Sequence, residues 1–232
     1  MENNNTQFDW GKKNELRIDD AVNMKLVLEK EIFEDNIYER CFEVEENDVV
    51  VDLGASLGPF TYSILPKNPK QCYVVEPLSY HIDILYKNVG RDNVKIIQGA
   101  ITDKKKFEIS SDDIIESVPT FTFKEFLEEN GIEKIDFLKC DCEGGEYEVF
   151  QLDNVEFLKT IPKIVTEFHM ANDENLHQCK FRWFRDNILT KFDNVQVYSI
   201  DGVNIKWDLW NEHFIQYYTE VLIYIDNRKN IQ

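Results

Sequence analysis

Short apolar runs rich in β-branched residues alternate along this chain with longer stretches whose apolar positions recur every three or four residues. The runs Val49–Leu53, Cys72–Val75, Val94–Ile97, Ile135–Cys142, Lys163–Phe168, Val195–Tyr198 and Glu220–Ile225 predict strands. Leu78, Ile82, Leu85, Tyr86 and Val89 fall at 0, +4, +7, +8 and +11, an amphipathic helix whose apolar members are expected in the core. Leu176, Cys179, Trp183, Phe184 and Ile188 predict a second helix within 174–189. Ala21 to Tyr38 carries a mixed helical pattern, and Pro59 to Leu65 a short helix. Residues 120–130 read as a strand-to-helix passage with Phe123, Phe126 and Leu127 inward and Gly131 as the stop. Residues 102–118 are charged and poorly periodic, with a short edge hairpin expected around Phe107–Ile109. Strands alternating with helices predict an α/β fold, a doubly wound parallel sheet with right-handed crossovers. No repeat or linker marks a second compact domain. Residues 1–40 read as an amino-terminal arm and helix, a lid or cap, and 41–232 as the main domain.

Charge changes this picture. The 232 residues carry 44 acids against 26 bases, a net charge of −18. Such a surface repels phosphate backbones and anionic membranes, so neither is an expected partner, whereas a small neutral or cationic molecule in a local pocket is compatible. The amino terminus has no basic start and no apolar core, and no apolar run approaches the roughly 20 residues of a membrane span. A soluble, cytoplasmic protein is expected. Five scattered cysteines, an odd number, point to reduced thiols. Cys140 and Cys142 are too close for a Cys-x-x-Cys metal or redox site and read as small strand residues.

Candidate chemistry gathers at two strand ends. Val49-Val50-Val51-Asp52-Leu53 runs into Gly54-Ala55-Ser56-Leu57-Gly58-Pro59-Phe60, a buried strand, a tight turn and the start of a helix. Gly54 and Gly58 let backbone approach closely, at the strand end where open α/β sheets bind ligands. The next strand ends at Glu76, 24 positions after Asp52, near the offset at which an acid meets a ribose hydroxyl. The spacing is Gly-x-x-x-Gly rather than Gly-x-Gly-x-x-Gly, which favours a nucleoside without phosphates, such as S-adenosylmethionine, over a dinucleotide. Ala100 and Ile101, after the third strand, suit a flat ring.

The second site follows the fourth strand. Lys139, Asp141 and Glu143 share a parity and point to one side while the strand lasts. Carboxylates ending a buried strand are costly unless paired, hydrogen-bonded or metal-bound, and they suit a sulfonium or a hydroxyl nucleophile. Glu146 reads as the acid at the start of the next helix. His169 ends the fifth strand, where its near-neutral intrinsic pKa would let it accept a proton from an alcohol. The ordinary alternative for His169 is a satisfied loop residue. His81, His177 and His213 receive no role. In the first helix, Glu31, Asp35 and Tyr38 could face a ligand, although a solvated face with one packed tyrosine is the simpler reading.

Asp52-Leu53-Gly54-Ala55-Ser56-Leu57-Gly58, Val75-Glu76-Pro77, Asp136-Phe137-Leu138-Lys139-Cys140-Asp141-Cys142-Glu143-Gly144-Gly145-Glu146 and Glu167-Phe168-His169 together resemble the FkbM family of S-adenosylmethionine-dependent methyltransferases. The similarity covers roughly residues 48 to 170, and the Lys-x-Asp-x-Glu-Gly-x-Glu run is its most specific part. It implies a Rossmann-like, seven-stranded, mostly parallel sheet with helices on both faces and the last strand antiparallel. It also implies methyl transfer to oxygen, often on a sugar, glycan or natural product. The implied cofactor site comprises Asp52, Gly54, Ala55, Ser56, Gly58, Phe60, Glu76, Pro77, Ala100, Ile101 and Asp141. Within it the turn would hold the methionine portion, Glu76 the ribose, Ala100 and Ile101 the adenine, and Asp141 would lie near the sulfonium. His169 is the first candidate base, with Glu143 next and Asp141 beside them. A divalent ion on Asp141, Glu143 and His169 would suit hard oxygen ligands, without the sequence deciding it. Ser56 stands where the family commonly has asparagine, and Cys140 and Cys142 where aliphatic residues are usual. Two rivals are an NAD-dependent oxidoreductase or epimerase, which lacks its third glycine and a Tyr-x-x-x-Lys pair here, and a non-catalytic binding module of the same fold.

Overall fold

The computed structural model describes residues 8–11, 21–105, 107–111, 114–170 and 176–229. Its centre is a seven-stranded sheet of β1 (Val49–Leu53), β2 (Gln71–Glu76), β3 (Val94–Gln98), β8 (Phe137–Cys140), β9 (Lys163–His169), β10 (Val195–Tyr198) and β11 (Glu220–Asp226), in the order β10-β11-β9-β8-β1-β2-β3. β1, β2, β3, β8 and β9 pair in parallel, and β11 runs antiparallel to both β9 and β10. Two small ribbons stand apart, β4 (Ala100–Ile101) with β7 (Thr120–Phe121) and β5 (Phe107–Ser111) with β6 (Ile114–Val118), the latter being the expected hairpin.

The sheet separates two cores, as expected for parallel strands covered on both faces. On one face Leu53, Leu138, Ile164 and Phe168 pack against Phe123, Phe126, Phe150, Phe181 and Phe184. On the other, Val50, Phe137, Val165 and Tyr224 pack against Ile37, Tyr38, Phe42, Phe60 and Leu85. The helices are α1 (Ala21–Leu28), α2 (Pro59–Ile64), α3 (Ser79–Val89), α4 (Phe123–Asn130), α5 (Glu146–Val149), α6 (Val155–Leu158) and α7 (Leu176–Asn187). α1 continues into a wider turn at Glu29–Glu34, and left-handed Asn36 breaks the helical pattern expected through Tyr38. Thr122 and Glu125 form a reciprocal capping box on α4, and Gly131 closes it in the left-handed conformation.

Two helical faces differ from expectation. α3 buries His81, Ile84, Leu85, Asn88 and Val89, while Tyr86 is 55% exposed, because it lies one position past the stripe that meets the sheet. α7 buries Phe181 and Phe184, while Cys179 is exposed and Trp183 is 49% exposed. Of the arm, Phe8 packs edge-on against Trp10 and Tyr62, and Asp9 exchanges two backbone-to-side-chain hydrogen bonds with Asn88. Residues 1–7, 12–20 and 171–175, on which parts of the arm and the start of the 174–189 helix were placed, lie outside the described residues. All five cysteines are free thiols. No helix among the described residues is long and apolar enough to cross a membrane.

Candidate active site

The carboxyl ends of β1, β2, β8 and β9 lie side by side and carry the candidate chemistry. The turn after β1 is pinned to β2: Gly54 and Ala55 both donate their N–H to the Val75 carbonyl at 3.0 Å. Gly54 has φ +76°, and a Cβ there would come 1.6 Å from the Asp141 carbonyl oxygen. Glycine is therefore required by close approach of two backbones, as well as by conformation. Gly58, at φ +85°, leaves room for Leu85 and Val89 of α3. Ser56 N–H donates to Glu76 Oε2 at 2.8 Å, and Leu78 N–H to Glu76 Oε1 at 2.9 Å. His81 Nδ1 lies 3.0 Å from the same Oε1. Glu76 is thus buried and fixed by both the turn and the start of α3. His81, which received no role from the sequence, is the side chain that steadies it. No sequence signal marked this contact except its position one turn into the helix after the acid.

Asp52 is fully buried and accepts from Thr61 Oγ1 at 2.7 Å, with Lys139 Nζ 3.3 Å from its other oxygen. The pair arises because Asp52 and Lys139 are register partners on adjacent strands. Lys139 also donates to the Gly54 carbonyl at 2.6 Å, lies 3.5 Å from Asp141 Oδ2, and sits over the Tyr38 ring. Burial works against its charge, but Asp52 and then Asp141 outweigh it and hold the ammonium above its ordinary pKa. Phe60 is buried, stacked on Phe137 and edge-on to Tyr38, and Ile101 lies in the other core. Ala55 is also buried; Ser56, Pro77 and Ala100 are half-buried.

The second group is built by register. Glu167 and His169 share a parity on β9, and Glu220 pairs with His169 on β11. Asp141 follows β8, and Tyr38 reaches it from the segment after α1. Tyr38 Oη lies 2.7 Å from Asp141 Oδ2 and 3.2 Å from Glu167 Oε2. Around His169, Nδ1 meets Glu146 Oε1 at 3.2 Å, while Nε2 lies 3.4 Å from Glu143 and 3.9 Å from both Asp141 Oδ1 and Glu167 Oε1. Glu146 is fully buried and accepts from Cys142 N–H at 2.7 Å and Gly144 N–H at 3.0 Å. It starts α5 as expected, and it also holds the loop and orients the histidine. Glu143 has φ +50° and is exposed, outside the strand.

Negative charge is in excess here. Burial and the charges of Asp141 and Glu220 push Glu31 up to about 7, and burial and Asp141 push Glu167 well above the carboxylate range. Burial opposes the His169 proton, but Glu146 most, then Asp141 and Glu143, push its pKa up to about 10. His169 therefore carries its proton at neutral pH and donates, and a role as acceptor requires an added positive charge beside it. The structure brings Asp141, Glu143 and His169 together as the sequence suggested. Tyr38 and Glu31 join them; Asp35 instead pairs with Lys30.

A family model described as "Methyltransferase FkbM domain" matches residues 52–198. The tRNA (guanine(37)-N(1))-methyltransferase Trm5b of Methanocaldococcus jannaschii is 31% identical over 122 residues, 44% of this chain and 35% of that protein. The match thus spans about a third of that relative's length. A solved structure of a proposed rRNA-methylase from Clostridium thermocellum aligns over 84% of this chain and 96% of that one, with TM-score 0.50 and 12% identity. Another, Methyltransferase FkbM from Methylobacillus flagellatus KT, aligns over 79% of this chain and 45% of that one, with TM-score 0.49 and 12% identity. The likeness to the Clostridium protein extends to the fold.

Proposed function

Because the chain belongs to the FkbM methyltransferase family, we propose that it methylates a hydroxyl oxygen of a sugar, glycan or natural-product-like small molecule, with S-adenosylmethionine as the donor. One observation carries the reading. The glycine turn and Glu76 sit on adjacent strand ends joined by the Ser56–Glu76 hydrogen bond, and the acid–histidine group opens beside them. The donor set fits a phosphate-free nucleoside: ribose hydroxyls need an acceptor, which Glu76 supplies, and a sulfonium needs anions, which Asp141 and its neighbours supply. Lys139, the basic group beneath the turn, is neutralised by Asp52 and Asp141, so it offers little to a pyrophosphate.

When bound, S-adenosylmethionine would supply an electrophilic methyl group, and the chain supplies alignment and proton removal. Transfer would form one O–C bond and break one S–C bond, and the hydroxyl proton would pass to the protein. Asp141, Glu143 and His169 are the groups we assign to the acceptor hydroxyl. Asp141 also faces the sulfonium side.

The test is calorimetry with S-adenosylmethionine alongside a turnover assay on hydroxylated acceptors. Glu76→Ala should weaken cofactor binding by about tenfold or more, the loss of a charged hydrogen bond. His169→Ala should spare binding and slow turnover by about a hundredfold, as loss of acid–base help does. Unchanged cofactor affinity in Glu76→Ala would remove the ribose assignment. The match to a tRNA methyltransferase favours a second reading, an RNA acceptor. The net charge of −18 opposes it.

A further inference from the structure

We propose that Asp141, Glu167 and His169 form a binding site for a divalent cation of the Mn2+ class. This deepens the methyl-transfer reading, because the ion would hold the acceptor hydroxyl at that site. One ligand atom from each residue lies within 4.8 Å of the other two, with His169 Nε2 3.9 Å from an oxygen of each acid. A point among atoms so spaced is roughly 2.5 Å from each, a few tenths of an ångström beyond first-row metal–ligand distances, so small side-chain shifts would close the site. Two carboxylates and an imidazole suit a first-row ion such as Mn2+ better than Ca2+.

Two further observations favour a cation there. Glu167 is nine-tenths buried; its Oε2 takes the Tyr38 hydroxyl, and its Oε1 faces His169 Nε2 at 3.9 Å across the cluster. Carboxylate oxygens of Asp141, Glu143, Glu146 and Glu167 lie within 3.9 Å of the one imidazole, an excess of negative charge that a cation would offset. The histidine is also dressed as a ligand. Its Nδ1 meets the fully buried Glu146 carboxylate while Nε2 points into the group, the carboxylate–histidine arrangement that orients metal-binding imidazoles. Coordination would leave positions open on the ion. A hydroxyl bound there would become more acidic and be held for in-line attack on a methyl group.

The experiment titrates Mn2+ alone into the full chain and follows loss of the free-ion electron paramagnetic resonance signal. Wild type should bind one ion per chain, and Glu167→Gln and His169→Gln should each weaken binding at least about tenfold. His169→Gln removes no negative charge, so its loss reports coordination rather than general attraction. It also serves if Glu167→Gln fails to fold, which circular dichroism would show. Glu45→Gln, an exposed acid that pairs with Lys163 at the opposite end of β9, should change affinity by less than about threefold. No saturable binding up to about 1 mM Mn2+, or equal binding by His169→Gln and wild type, overturns the site. Calorimetry with S-adenosylmethionine separates the two readings. Mn2+ binding without cofactor binding keeps the ion site and removes the role given to it, whereas cofactor binding without Mn2+ binding keeps the methyl-transfer reading and removes the ion site.

Discussion

Lys139 shows what one buried charge does to a strand. It is 3% exposed, beside the fully buried Asp52, and within 3.5 Å of Asp141. Lys139→Met would leave Asp52 buried and unpaired, so it should destabilise the protein by about 3–5 kcal/mol in urea unfolding. A loss under about 1 kcal/mol would mean that water reaches Asp52. At this scale the sequence was partly legible. Asp141 and His169 stood out because charged or titratable residues at the ends of apolar runs need a reason. Glu167 was readable in principle, since it shares a face with His169, but a single acid inside Lys163–Phe168 reads equally well as a solvated edge. Tyr38 could not be paired with Asp141 in advance. They are 103 residues apart, and chain order carries no distance.

Elements were more legible than side chains. Short apolar runs became strands in the expected places, because an apolar β-branched segment bounded by turns has few other ways to bury itself. Helix stripes were less secure. Tyr86 and Trp183 fall at apolar spacings yet are half exposed, since a stripe of five positions is wider than the surface the sheet presents. End signals did better: Gly131, expected as the stop of α4, closes it in the left-handed conformation. Its start is held by a capping box that the sequence reading did not single out. Thr122 accepts from Glu125 N–H at 3.1 Å, and the Glu125 carboxylate returns to Thr122 N–H at 2.8 Å. Thr122→Ala should therefore cost about 1 kcal/mol by thermal unfolding, with the catalytic constants unchanged. Equal stability would show that α4 is held by Phe123 and Phe126 alone.

For the whole molecule, the family and the sheet were legible and the acceptor was not. The turn, Glu76 and the acid-rich run recur as local patterns, whereas acceptor recognition depends on segments with no such pattern. The segment between β10 and β11 carries Trp207, Trp210, Phe214 and Tyr217, each at least 47% exposed, and nothing in their spacing says what they meet. Net charge does discriminate. At −18 the chain should not shift a labelled tRNA-sized RNA in a gel at about 0.15 M salt. Saturable, salt-sensitive binding would move the acceptor assignment to nucleic acid.

The contact between Gly54 and Asp141 has a mechanical consequence. With no side chain between the two backbones, and one ammonium gripping both the Gly54 carbonyl and the Asp141 carboxylate, the turn and the acid move as a single piece. Under the proposed assignment, whatever settles into the loop would be registered at the acid without any hinge or relay, so the spacing between donor and acceptor would be built into the frame before either arrives.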